Sequence, residues 1–189
     1  MKFPKLRLLK SVVSLPTLAI GIGIGVVAVF LAGFVYLRAG FFDSRADIPI
    51  NPYEKAIAGP ALDASVTRMA PNVPNPINRT ESNLVAGMKV YQSNCAGCHG
   101  DILHPTSSMA QDFYPRPPQF VKHSPDKPVN QNFFIVKNGI RVSGMPAWQN
   151  NLNDHQIWLV VTFLSRMDKL PQAVSDQWKT SAGSPSEGQ

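Results

Sequence analysis

Residues 11–37 form a run of 27 residues that contains no Lys, Arg, Asp, Glu or His. A helix that crosses the roughly 30 Å hydrocarbon core of a bilayer needs about 20 apolar residues. Pro16 to Leu37 supplies this length, and Tyr36 lies near the end of the run, where an aromatic ring suits the membrane interface. The sequence therefore predicts one transmembrane anchor over residues 12–38.

Basic residues precede this apolar run and predict its orientation. Residues 1–11 contain four of them, Lys2, Lys5, Arg7 and Lys10. The positive-inside bias predicts that residues 1–11 are cytoplasmic. The domain after the anchor would then be periplasmic, on a single-pass protein of a bacterial inner membrane. Because the net charge of +6 arises mainly at this end, it does not indicate nucleic-acid binding.

A cleaved signal peptide is the alternative to an anchor. Its apolar region is normally about 7–15 residues long and ends at an A-x-A-like site. The run here is longer, and residues 36–40 make a poor cleavage site, which favours an uncleaved helix. Within it, Gly21 and Gly25 form a small-xxx-small pair that would allow a helix–helix partner to pack closely.

Residues 39–79 contain six prolines, at positions 49, 52, 60, 71, 74 and 76. Proline lacks a backbone N–H and restricts the residue before it. We therefore expect a linker without long helices, although a short helix around Leu62–Met69 is compatible with the pattern. Residues 179–189 are rich in Ser and Gly and are predicted to be a disordered tail.

Residues 80–178 contain three helical signals and no convincing strand pattern. Thr80 is expected to cap a helix that reaches about Gln92, and Asn130 a second helix that ends at Asn138–Gly139. The third helix has Asn153 as its cap and Gln156 three positions later, followed by apolar residues at helical spacing. These are Ile157, Val160, Val161, Leu164 and Met167.

The two cysteines of the chain lie in the motif Cys95-Ala96-Gly97-Cys98-His99. C-x-x-C-H is the attachment signature of c-type heme: two thiols bond to one porphyrin, and the adjacent histidine is an axial ligand of its iron. A thioredoxin-like site would need a βαβ context, and a structural zinc site would need a fourth ligand. A simple disulfide leaves His99 unexplained. The motif therefore predicts one covalent heme c, bound through Cys95 and Cys98.

With this motif, the region from about Thr80 to Asp168 resembles a class I, mono-heme cytochrome c. It is close to the family that includes the heme subunits of certain cytochrome oxidases. The resemblance implies an all-α fold of three to four helices around one heme, here behind a transmembrane helix. It also implies that Met145, in Gly144-Met145-Pro146, is the second axial ligand.

The resemblance suggests further roles around the heme. A proline carbonyl is expected to accept a hydrogen bond from His99, and Pro117 is the candidate. Arg116 and Trp148 are candidates for contacts with the heme propionates. Gly87 and Tyr91 are expected where the first helix crosses the last one, which carries Trp158.

Other side chains compete with Met145 for the iron. Met109 is the next candidate, and a histidine is the third. Met88 and Met167 fall on helix faces, where a core role is expected. The three remaining histidines, His104, His123 and His155, are expected to face solvent.

Iron held by His99 and Met145 has no free coordination position, which favours one-electron transfer over catalysis. We therefore expect an electron carrier, not an enzyme. Its donor would be a quinol-oxidising complex or a dehydrogenase, and its acceptor a terminal oxidase or another respiratory or photosynthetic partner. A permanently docked heme subunit of a larger membrane complex is the second interpretation. A heme peroxidase or gas sensor is the third.

Overall fold

A computed structural model describes residues 14–183 of the chain. This part divides into two compact units between Ser44 and Arg45. It contains seven α-helices and no strand, so the predicted all-α fold class is confirmed. The predicted cytoplasmic segment, residues 1–11, lies outside the described residues. The predicted domain boundary between residues 79 and 80 stays a prediction. In the structure, residues 45–79 group with the helices that follow them.

The first unit contains helix α1, Leu15–Arg38, which is 24 residues long. The Ser14 side chain accepts a hydrogen bond from the Thr17 N–H at its start. At 1.5 Å per residue the helix is about 36 Å long, and its mean hydropathy of 2.6 is high enough for a membrane span. No side chain lies against Gly21 or Gly25, so the predicted helix–helix partner remains a prediction.

Helix α2, Pro52–Met69, contradicts the expectation that residues 39–79 form no long helix. It is 18 residues long and includes the shorter helix expected at Leu62–Met69. Pro52 starts it, where a missing N–H has no partner to lose, and the Asn51 side chain accepts from the Tyr53 N–H. Pro60 lies inside the helix, which nevertheless continues because its inner face, with the buried Val66, packs against other helices of the same unit.

Helices α3, Glu81–Asn94, and α6, Asp154–Leu164, cross to form the core. A Cβ on Gly87 would lie 2.8 Å from the carbonyl carbon of Leu159, so only glycine allows this approach. As expected, the helix that α3 crosses at Gly87 is the one that carries Trp158. The Trp158 ring itself stacks on Phe133, 4.0 Å away between centroids. Tyr91 packs against Phe163.

The capping predictions were partly right. Thr80 accepts from the Asn83 N–H, and Asn153 forms a reciprocal capping box with Gln156. Asn130 was wrongly expected to cap helix α5, Val129–Asn138. Pro128 precedes the helix, and the Asn130 side chain donates to the carbonyl of Pro71, 3.0 Å away.

A further helix, α7, Gln172–Ala182, follows α6. It buries Val174 and Trp178, and the Trp178 ring meets Tyr91 edge-on. The predicted disordered tail is therefore wrong for residues 179–182, which are helical. The rest of that tail, from residue 184, lies outside the described residues.

Candidate functional site

The two cysteines are positioned by a tight junction between helices. Cys95 ends α3 and starts the single-turn helix α4, Ala96–His99. Gly100 follows with a φ of 82°, a left-handed conformation that suits glycine. The buried Tyr91 hydroxyl donates to the Gly100 carbonyl at 2.8 Å. The turn that carries Cys98 and His99 is thereby fixed to the core.

His99 is oriented by a hydrogen bond from its Nδ1 to the carbonyl oxygen of Pro118, 2.7 Å away. The expected acceptor, Pro117, is wrong, because its carbonyl accepts from the Gln119 side chain instead. A carbonyl can only accept, so Nδ1 carries the proton. Burial lowers the pKa of His99, although the Pro118 bond opposes this shift. The ring is therefore held neutral with Nε2 as a free electron-pair donor.

Phe120 stacks on the His99 imidazole, with 4.8 Å between centroids and 16° between planes. Its N–H also donates to the His99 carbonyl at 3.4 Å. Both contacts restrict rotation of the imidazole. The sequence analysis missed this residue; its position immediately after the proline-rich loop was the available signal.

His99 opens onto a largely apolar cavity of about 570 Å³. Ligand sites commonly span about 300–1,000 Å³. All seven residues predicted for the site line this one cavity: Cys95, Cys98, His99, Arg116, Pro117, Met145 and Trp148. Residues 50 positions apart in the sequence thus meet at one place. The cavity also includes Leu62 of α2, which the sequence analysis did not predict.

The loop that carries Met145 is held by backbone and side-chain bonds. The Ile140 N–H donates to the Met145 carbonyl at 3.1 Å. The Ser143 hydroxyl donates to the Ile140 carbonyl at 2.7 Å and accepts from the Met145 N–H at 3.2 Å. A Cβ on Gly144 would collide with the ring of Phe113. A larger residue beside this methionine would therefore displace the Phe113 ring.

The competing ligands are placed differently. Met88 and Met167 are buried in the core, as expected. Met109 is 49% exposed and accepts from the Cys98 thiol at 3.8 Å. Of the methionines that the structure describes, Met145 is the one that lines the cavity. His104, His123 and His155 are exposed, as expected, and His123 also lines the cavity.

The Cys95 residue is half-buried at the cavity wall. Burial raises its pKa to about 12, and the neighbouring Cys98 adds to this effect. Both cysteines are free of disulfide bonds. Two unpaired thiols, a neutral imidazole and a thioether around one apolar cavity are the donor set that fits a heme.

The fold and this donor set resemble those of a cytochrome c-type domain, and comparison with known proteins agrees for part of the chain. Residues 82–164 match the family model for cytochrome c oxidase, cbb3-type, subunit III. The resemblance predicted from the sequence is thus confirmed over that segment, and this family implies a heme.

Among solved structures, the chain is similar to a chain of the Kuenenia stuttgartiensis reducing HAO-like protein complex. The identity is 18% and the TM-score 0.43; the match covers 62% of this chain and 61% of the other. The likeness therefore spans less than two thirds of that chain. No protein with a curated description matches.

Proposed function

We propose that the protein is a membrane-anchored c-type cytochrome that transfers single electrons. One observation carries the proposal: a single apolar cavity brings together Cys95, Cys98, His99 and Met145. The two thiols would fasten one heme covalently. His99 Nε2 and the Met145 sulfur would be its axial ligands.

The bound heme would supply a reversible one-electron iron couple, and the chain's residues would set its properties. The Pro118 carbonyl holds the His99 ring in one tautomer and orientation. A thioether on the other face raises the reduction potential relative to a second histidine. With both axial positions filled by side chains, substrate has no coordination site, which favours an electron carrier over an enzyme.

Arg116 and Trp148, both at the cavity wall, are proposed to contact the heme propionates. The Arg116 guanidinium would compensate a carboxylate charge, and the Trp148 indole N–H would donate a hydrogen bond. Both side chains would position the heme and would take no part in the electron transfer itself.

Helix α1 is proposed as an uncleaved inner-membrane anchor, with the heme domain in the periplasm. Only residues 39–51 separate α1 from α2. Fully extended, this segment reaches at most about 45 Å. The predicted linker of residues 39–79 would have reached about 140 Å. A short reach restricts the carrier to partners close to the anchor, and it also suits a permanently docked subunit of a larger complex.

The attachment is tested by replacing both thiols. We expect Cys95→Ser with Cys98→Ser to abolish heme staining on a denaturing gel, where only covalently bound heme survives. Ser107→Ala, which leaves both thiols in place, is the control and should keep the stain. A double variant that still stains would refute covalent attachment at these residues.

The axial assignment is tested with Met145→Ala. We expect loss of the far-red absorption band that marks sulfur–iron bonding in the ferric form, and rapid carbon monoxide binding by the reduced form. Met109→Ala is the matched control and should retain the band. If the unchanged protein binds carbon monoxide readily, the site has an open position and a peroxidase or sensor is favoured.

Detergent solubilisation of the full chain distinguishes the two membrane roles. A lone cytochrome on gel filtration supports the carrier, and a defined co-purifying assembly supports the docked subunit. Cross-linking in intact membranes would then identify the electron donor and acceptor.

A further inference from the structure

Helix α2 lines the cavity through one side chain, Leu62. The segment before residue 80 lies outside the part of the chain that matches the cytochrome family model, which begins at residue 82. The other residues that line the cavity all follow position 90. Leu62 is therefore an apolar contribution to the site from outside the matched domain.

The N-terminal half of α2 is attached to the loop that carries Arg116 and Pro118. The Tyr114 hydroxyl donates to the Glu54 carboxylate and accepts from the Asn51 N–H at 3.1 Å. The helix is thus fixed beside the loop whose carbonyl orients His99.

The middle and end of α2 are attached to Lys127 and to helix α5. Asp63 pairs with Lys127, which itself lines the cavity. Val66 is buried, with 2% of its surface exposed. The Gln131 side chain of α5 donates to the Thr67 hydroxyl at 3.3 Å. Leu62 lies between these two sets of attachments.

The segment after α2 continues the attachment. The Pro71 carbonyl accepts from Asn130 at 3.0 Å, and the Asn75 amide donates to the Thr162 hydroxyl of α6 at 2.8 Å. Residues 51–75 are therefore fastened along their length to the helices and loops around the cavity.

We propose that α2 is a fixed cover of the heme cavity, and that Leu62 excludes water from the heme edge and thereby raises its reduction potential. This inference rests on the proposed function. Water stabilises the more highly charged oxidised form, so its exclusion favours the reduced form. Leu62 acts through the environment of the heme and is a positioning residue.

The test is a redox titration of the full-length holoprotein. We expect Leu62→Asn to lower the midpoint potential of the heme. The conservative variant Leu62→Ile should keep a midpoint potential close to that of the unchanged protein. Ile57→Asn, on the outer face of α2 with 72% of the side chain exposed, is the matched control. Its midpoint potential should not change.

A second variant weakens the attachment of the cover without altering any residue that lines the cavity. Val66→Ala should loosen α2 and lower the potential in the same direction as Leu62→Asn. Unchanged potentials in both variants would overturn the inference while leaving the cytochrome assignment intact. A chain that carries no covalent heme would instead refute the proposed function, and this inference with it.

Discussion

The α3–α6 crossing and the α2 cover are held to the molecule in different ways. The crossing buries large side chains with 0–1% exposure, among them Leu84, Met88, Tyr91 and Ile157. The cover buries one residue, Val66, and is otherwise attached by hydrogen bonds and an ion pair. Dense apolar packing resists local opening, whereas polar links near solvent contribute little each. We infer that the cover opens at a lower free energy than the crossing.

The largest expected effect comes from glycine replacement in each region. Gly87→Ala places a methyl group against the Leu159 backbone and should lower the free energy of unfolding by about 3 kcal/mol. Gly59→Ala in α2 meets nothing within 4 Å apart from its chain neighbours. Its Cβ would face the Pro60 ring, which offsets the gain in helix propensity, so the free energy of unfolding should change by less than about 0.5 kcal/mol. Urea unfolding of the holoprotein measures both. Equal effects would show that the crossing is not tightly packed.

A second comparison makes the same change in both regions. Val66→Ala in α2 and Val160→Ala in α6 each remove two buried methyl groups, for about 2 kcal/mol. If α2 opens first, Val160 stays packed in that open state, so Val160→Ala should accelerate native-state hydrogen exchange in α3 and α6 about 30-fold and leave the α2 amides unchanged. Val66→Ala should accelerate exchange in all three helices, because α2 is open in every more unfolded state. Acceleration of the α2 amides by Val160→Ala would show that the two regions open as one unit.

This difference also decided what the sequence could predict. The crossing was predictable because α6 combines a capping pair, Asn153 and Gln156, with apolar residues at helical spacing. The cover was not, since Pro60 argues against a helix and α2 shows little apolar periodicity. Its stability comes from partners such as Tyr114, 60 residues away. Local sequence carries no record of such partners.

The candidate site shows the same limit on a smaller scale. The motifs and the resemblance predicted four donor residues, Cys95, Cys98, His99 and Met145, and the structure brings all four to one cavity. The partner of His99 was misassigned by one position, to Pro117 in place of Pro118. Adjacent prolines offer chemically identical carbonyls, so only the path of the backbone distinguishes them.

The smallest expected effect is a pH dependence confined to the cover. The hydrogen bond from Tyr114 to the Glu54 carboxylate raises the pKa of the phenol above its ordinary value of 10.0, although the Asn51 N–H partly offsets the shift. A raised pKa means that the link stabilises the fold fully below pH 10 and is lost as the pH rises through the folded-state pKa. Cleavage within α2 by an alkali-tolerant protease should therefore accelerate above pH 10.

Tyr114→Phe should remove this alkaline step and give faster cleavage at neutral pH. The control is Tyr53→Phe: Tyr53 is on α2 and 81% exposed, and its variant should behave like the unchanged protein. If the alkaline step persists in Tyr114→Phe, another group releases the cover, and the Glu54–Tyr114 link is not what holds its first turn.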